Sequence, residues 1–189
     1  MGILSLLLPR KCRFCGKKLT KNDRALCPVC RSDYESAKRR VCQKCKRQYL
    51  ECNCRAATAD KSIVRFVSLF RYKKNTPGGA VILSVKDRKD KEALELLSGD
   101  MAKALKRAGV MNENCAVTFV PRSPKAVRAT GVDQSYELAR RVGEKLGLPL
   151  CKALKAESDR QSQKELSFKE RAERVSHLYK PTKYCADLR

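Results

Sequence analysis

Eight of the eleven cysteines fall within residues 12–54, in four close pairs: Cys12 and Cys15, Cys27 and Cys30, Cys42 and Cys45, Cys52 and Cys54. Two thiolates this close in the chain converge, with nearby backbone N–H groups, on a single cation. Two such pairs complete a tetrahedral Zn(S-Cys)4 site, the arrangement zinc accepts most readily. The order along the chain therefore predicts two structural zinc ions. Cys12, Cys15, Cys27 and Cys30 hold the first; Cys42, Cys45, Cys52 and Cys54 hold the second. The last pair, Cys52-Asn53-Cys54, is one residue tighter than the others. On this reading metal, rather than a large core, holds the first third of the chain together.

Two other uses of eight cysteines compete. A disulfide framework suits a short secreted domain. The apolar stretch at residues 3–8 is too short for a signal core, and no small-residue cleavage site follows it. A reducing cytoplasmic setting is therefore expected, and there the spacing favours metal. A redox dithiol would need one Cys-x-x-Cys beside a β-α unit, not four pairs in a row. Cys115, Cys151 and Cys185 are scattered and read as non-ligating thiols.

The charge is one-sided. Among 189 residues there are 43 Lys and Arg against 20 Asp and Glu, a formal net charge of +23. Two tetrathiolate zinc centres would bring this to about +19. Such a field attracts polyanions: nucleic acid, anionic lipid or phosphorylated small molecules. Lys38, Arg39 and Arg40, with Lys44, Lys46 and Arg47, flank the second quartet and are candidate phosphate contacts or simply a solvated face. Trp is absent, and the six Tyr and five Phe show no aromatic–basic interleaving of the kind a single-strand stacking platform needs. No apolar run approaches the ~20 residues of a membrane span, so a soluble chain is expected.

The elements that must position these residues fall into two domains, 1–58 and 59–189, joined across a polar and Ala-rich stretch at 55–61. Residues 32–40, between the quartets, read as a turn or a short helix. Residues 63–72 are rich in β-branched and aromatic side chains and predict a strand or hairpin arm. Thr76-Pro77-Gly78-Gly79 predicts a turn, and residues 80–85 suit either a strand or the start of a helix. Residues 91–108 predict a helix with Leu94, Leu97, Met101 and Leu105 on one face and Gly109 as its cap. Residues 116–120 then read as a buried strand stopped by Pro121. A basic loop follows to Gly131. Residues 133–146 read as a helix, with Leu138, Val142 and Leu146 inward and Gly147 ending it. Residues 148–154 predict a second short strand. This strand–loop–helix–strand order is a β-α-β unit and implies a parallel sheet. Residues 155–177 are highly charged and lack a clear apolar face.

Several segments, in order, resemble the ComF family. The tandem quartets match its N-terminal ribbon. Phe70-Arg71-Tyr72 followed by Lys86 resembles the entry into its second domain. Val120-Pro121-Arg122-Ser123-Pro124-Lys125, then Gly131-Val132-Asp133-Gln134, resembles its strand–loop–helix signature, with Val132 where the family usually has an aromatic. Gln163, Leu166, Ser167, Glu170 and Arg171 resemble the charged stretch before its catalytic strand. The resemblance implies an α/β protein: a double zinc ribbon followed by a phosphoribosyltransferase-like parallel-sheet domain, in some members linked to natural competence and DNA uptake.

The resemblance also implies site residues. Arg122 and Ser123 would face the pyrophosphate oxygens of a phosphorylated small molecule or form a solvated surface loop, and Lys86 would contact a phosphate or, the reading its many basic neighbours favour, stay a solvated charge. Asp133 and Gln134 read instead as the start of a capped helix, and the single histidine, His177, as an exposed side chain. A phosphoribosyltransferase of this type continues with an apolar strand, two adjacent acidic residues and a Thr-Gly-rich phosphate turn. No glycine follows Gly147 and no two acidic residues adjoin after it. The expectation is a family-like protein with an incomplete second domain and no transferase chemistry of its own. The alternative is a zinc-ribbon protein that binds nucleic acid through non-specific electrostatic contacts.

Overall fold

The computed structural model describes residues 9–54, 65–88, 90–109, 111–112, 114–157 and 178–185. The chain divides into two compact units, Met1–Met111 and Asn112–Arg189. The expected domain boundary at residue 58 lies outside the described residues, as do His177 and the charged stretch at 163–171.

In the first unit, helix α1 spans Pro28–Lys38, α2 spans Pro77–Arg88 and α3 spans Lys91–Ala108. Each start has a local cause. Pro28 sits in the first turn of α1, where its missing N–H costs nothing. Asp90 caps α3 by accepting from the N–H groups of Glu92 and Ala93, and Gly109 ends it in the left-handed region at φ 64°. At α2, the Thr76 hydroxyl accepts from Gly79 N at 3.1 Å, and Pro77 follows it. The expected turn at 76–79 is thus a capped helix start, and the ambiguous 80–85 segment is helical. Its two glycines serve close packing. A Cβ at Gly79 would collide with the Lys73 carbonyl oxygen, and one at Gly78 would lie 2.8 Å from the Phe70 ring.

Helix α2 packs on both α1 and α3. The expected strand at 63–72 does not form over its described part, residues 65–72. Phe70 is drawn into the helix junction instead, its ring edge-on to Tyr34 at 5.5 Å. Helix α3 buries more than one stripe. Besides Leu94 and Leu97 it buries Ala93, Leu96, Ser98, Asp100, Ala102 and Ala104, since α2 packs on it and Tyr34 and Lys38 of α1 meet it at Asp100. Met101 and Leu105 are only half-buried.

Asp100 is the polar centre of this junction. It is 7% exposed and accepts from the Tyr34 hydroxyl at 2.8 Å and from Lys38 Nζ at 3.0 Å. Tyr34 is fully buried. Burial, then the Asp100 charge and hydrogen bond, push its phenol pKa far above the ordinary value. Removing the carboxylate would strand the buried Tyr34 hydroxyl and leave the largely covered Lys38 ammonium with Glu35 alone. Asp100→Ala is therefore expected to cost about 3 kcal/mol, against about 1 kcal/mol for Tyr34→Phe. Denaturant unfolding checks the order; equal costs would deny Asp100 its central place.

In the second unit, α4 spans Pro124–Thr130 and α5 spans Gln134–Leu146. Asp133 caps α5 through Ser135 N and Tyr136 N, and Gly147 ends it at φ 71°. Val117 pairs in parallel with Leu150: Val117 N donates to the Pro149 carbonyl and Cys151 N to the Val117 carbonyl, both at 2.8 Å. Helix α5 lies against this pair at Gly143, where a Cβ would be 3.8 Å from the Val117 side chain. Val142 is buried as expected, together with Ala139 and Gly143, while Leu138 and Leu146 are only half-buried. Strands β1 (Leu154–Ala156) and β2 (Tyr179–Pro181) form an antiparallel ribbon with Lys155 opposite Lys180.

The fold class is therefore corrected. Among the described residues the chain is helix-rich, with one two-stranded antiparallel sheet and one parallel bridge, and the expected parallel sheet is not formed. A parallel sheet needs neighbouring strands to share its slanted hydrogen bonds. Residues 65–72 spend their apolar side chains on helices instead.

Candidate metal centres

The two quartets repeat one local design, displaced by 30 residues: bridge Lys11↔Lys18 recurs as Val41↔Gln48. Cys12 N donates to the Lys17 carbonyl and Gly16 N to the Cys12 carbonyl, at 2.8 and 3.0 Å. Cys42 N donates to the Arg47 carbonyl and Lys46 N to the Cys42 carbonyl, at 2.7 and 2.8 Å. Each is a tight knuckle that must turn through the left-handed region. Gly16 does so at φ 76° without strain, whereas Lys46 does so at φ 61° against its own Cβ.

The second pair of each quartet closes the site. Cys27 is the residue before α1 and Cys30 lies in its first turn, so one pair is presented at a helix start whose dipole favours thiolates. In each quartet the four Sγ atoms all lie within 4.8 Å of one another. Cys15 and Cys27 Sγ are 3.6 Å apart, close to the about 3.8 Å edge of a tetrahedron with Zn–S of about 2.3 Å. The two clusters fit two structural zinc ions.

Acidity points the same way. Burial opposes ionisation of Cys12, but the N–H groups of Cys15, Cys27 and Phe14 outweigh it and bring the thiol to about 6. The N–H groups of Cys45 and Lys44 bring Cys42 to about 6. Burial and the neighbouring thiols push Cys30 up, and the Cys45 thiol leads in pushing Cys54 to about 12. Four thiolates cannot coexist at neutral pH without a cation among them.

The first centre is the more enclosed, with Cys12, Cys27 and Cys30 buried beside Leu19, Ala25 and Leu26. It is tied to the start of α3. Arg10 pairs with Glu92 at 2.5 Å, Arg13 pairs with Asp90, and Ala25 N donates to Glu92 at 3.3 Å. The second centre is half-exposed throughout. Cys115 and Cys151 belong to neither cluster; Cys115 Sγ instead bonds Asn112.

Arg122 donates from its backbone to Asp133 at 3.0 Å, and its guanidinium donates to Gln134 and to Thr130. Ser123 caps α4 by accepting from Ala126 N at 3.3 Å. The loop is thus fastened by its own polar side chains, and Asp133 and Gln134 serve at the helix start. Lys86 is exposed on α2, in the other unit. Sequence reasoning missed the buried Asp100, whose place on the inner face of α3 was its only signal. It also missed a cleft of about 270 Å³ in which Arg31, Arg39, Lys103 and Arg107 meet. These come from α1, its C-terminal cap and α3, and cluster only in space.

Paired knuckles, each closing a tetrathiol cluster, define a double zinc ribbon. Residues 3–60 match the family model of the double zinc ribbon domain. No curated protein and no solved structure matches the chain. Among the described residues no helix is long and apolar enough to cross a membrane.

Proposed function

We propose that the chain is a ComF-type cytoplasmic protein, a double zinc ribbon joined to a phosphoribosyltransferase-related scaffold, that handles DNA in natural competence. The observation that carries this reading is the parallel pairing of Val117 with Leu150 across α5, directly before the loop holding Arg122 and Ser123. Open α/β folds bind ligands beyond the carboxyl ends of parallel strands, and this loop follows a parallel bridge. In this reading the ribbon covers 1–58 and the scaffold 59–189, and Arg122 and Ser123 face the phosphates of a small molecule. Disrupting the gene in a naturally transformable host is expected to lower transformation at least about ten-fold; an unchanged frequency would count against the competence role.

Transferase chemistry is not assigned to these 189 residues. In-line displacement needs the ligand oriented by converging groups, not merely attracted by charge. The residues after Gly147 include no glycine and no adjacent acidic pair. Calorimetry with phosphoribosyl pyrophosphate at physiological salt is expected to show no saturable micromolar binding. Such binding would overturn this part of the reading.

A second reading rests on the formal charge of +23. Zinc ribbon domains often bind nucleic acids. In this reading the ribbon and its basic neighbours bind DNA or RNA phosphates without regard to sequence.

A further inference from the structure

The fold gathers aromatic and basic side chains from separate stretches of the first unit. One cleft of about 450 Å³ in the first unit is lined by Phe14, Tyr49 and Phe70 together with Arg40, Arg71 and Lys73. Phe14 lies inside the first zinc knuckle, between Cys12 and Cys15, and is 43% exposed. Tyr49 follows the second knuckle, and its N–H donates to the Arg40 carbonyl at 3.3 Å. Each of these two rings is therefore held next to a metal-closed turn. Phe70 is fixed from behind by Tyr34 and Gly78 and forms part of the wall. Arg40, Arg71 and Lys73 are exposed and have no acidic partner among the described residues. Asp33 is the one carboxylate among the lining residues.

We infer that this cleft binds a short stretch of single-stranded nucleic acid, its bases stacking on Phe14 and Tyr49 and its phosphates pairing with Arg40, Arg71 and Lys73. The inference rests on the second reading above and names its site. Base faces offer the same π-surface in every sequence, so rigid aromatic rings beside cations make a sequence-tolerant platform. A duplex hides those faces in its stack and can use only the cations. An acidic peptide would satisfy the cations but leave the rings unused.

The test uses the full chain loaded with zinc and fluorescence anisotropy at physiological salt. The probes are an oligodeoxythymidine of about 20 nucleotides, a footprint longer than one stacking platform, and a duplex of equal length. Phe14→Leu and Tyr49→Leu keep apolar bulk but remove the stacking surface. Each is expected to weaken single-strand binding about ten-fold while leaving duplex binding and the salt slope unchanged. Phe14→Trp is expected to restore or strengthen it. Arg71→Ala with Lys73→Ala should flatten the single-strand slope by about 1.4, two contacts at roughly 0.7 each. Zinc content and circular dichroism establish that each variant is folded.

If the parent chain binds both probes and the Leu variants bind the single strand equally well, the cleft is not the site and the nucleic-acid reading stands. Loss of binding on Lys103→Ala with Arg107→Ala, and not on the cleft variants, would move the site to the smaller basic cleft. If the parent chain binds neither probe, both the inference and the reading beneath it fall.

Discussion

Stripping the metal with a strong chelator is expected to remove two zinc ions per chain and unfold residues 12–54. The ribbon has little else to hold it. Outside the thiols its fully enclosed residues are few, chiefly Leu19, Ala25, Leu26 and Tyr34. A structural zinc site supplies roughly 10–16 kcal/mol at neutral pH, comparable with the entire stability of an ordinary domain, about 5–15 kcal/mol. Losing it cannot be offset by four or five apolar side chains. Damage should spread unequally. The first centre is buried and tied by Arg10 and Arg13 to Asp90 and Glu92, so Cys12→Ser or Cys27→Ser should loosen α3 as well. Cys42→Ser should spare it, and Cys115→Ser should leave zinc content at two. Elemental analysis with circular dichroism reads both; one ion or none per folded chain would refute the two-centre assignment.

Acid should do what the chelator does. Cys12 and Cys42 lie at about 6 against an ordinary 9.0, a depressed value in each case. The stabilisation from their thiolates is thus complete above the ordinary value and disappears as pH falls through about 6. Bound zinc holds the thiolates lower still, because protons and metal compete for the same sulfur. Zinc retained at neutral pH and released at or below about pH 6 is the expected profile. Release that begins above neutrality would contradict it.

The second large effect concerns salt. A chain near +19 should bind DNA in proportion to the counterions it displaces. Log affinity should then fall linearly with log salt, by about 0.9 per phosphate contact on a duplex and 0.7 on a single strand. Six or more contacts would cost about a thousand-fold between 50 and 200 mM salt. Charge reversal at Arg39 and Arg40 should reduce the slope by about two contacts. Lys38 does not belong in that test. Its ammonium is engaged by Asp100 and Glu35 at the junction of α1 with α3, and reversing it would unfold what it was meant to probe. Binding that survives high salt, or that selects one sequence, would reject an electrostatic mechanism.

The metal ligands were legible in the sequence because ligand spacing is a local property. Two thiols three positions apart converge on one ion wherever a tight knuckle forms, and both knuckles form alike. Helix ends were legible for the same reason. Asp90 with Gly109, and Asp133 with Gly147, satisfy backbone groups within their own turns. What the sequence left open depended on partners far along the chain. Residues 65–72 carry strand-forming side chains, yet β propensity reflects what a residue packs against, and Phe70 packs against Tyr34 and Gly78. Nothing local marks Asp100; Tyr34 and Lys38, more than sixty residues earlier, enclose it. Phe14, Tyr49, Arg71 and Lys73 show no pattern in one dimension and share a cleft in three. Spacing along the backbone fixes geometry only within a turn or two. Burial and charge clustering are set by which distant segments the fold brings together.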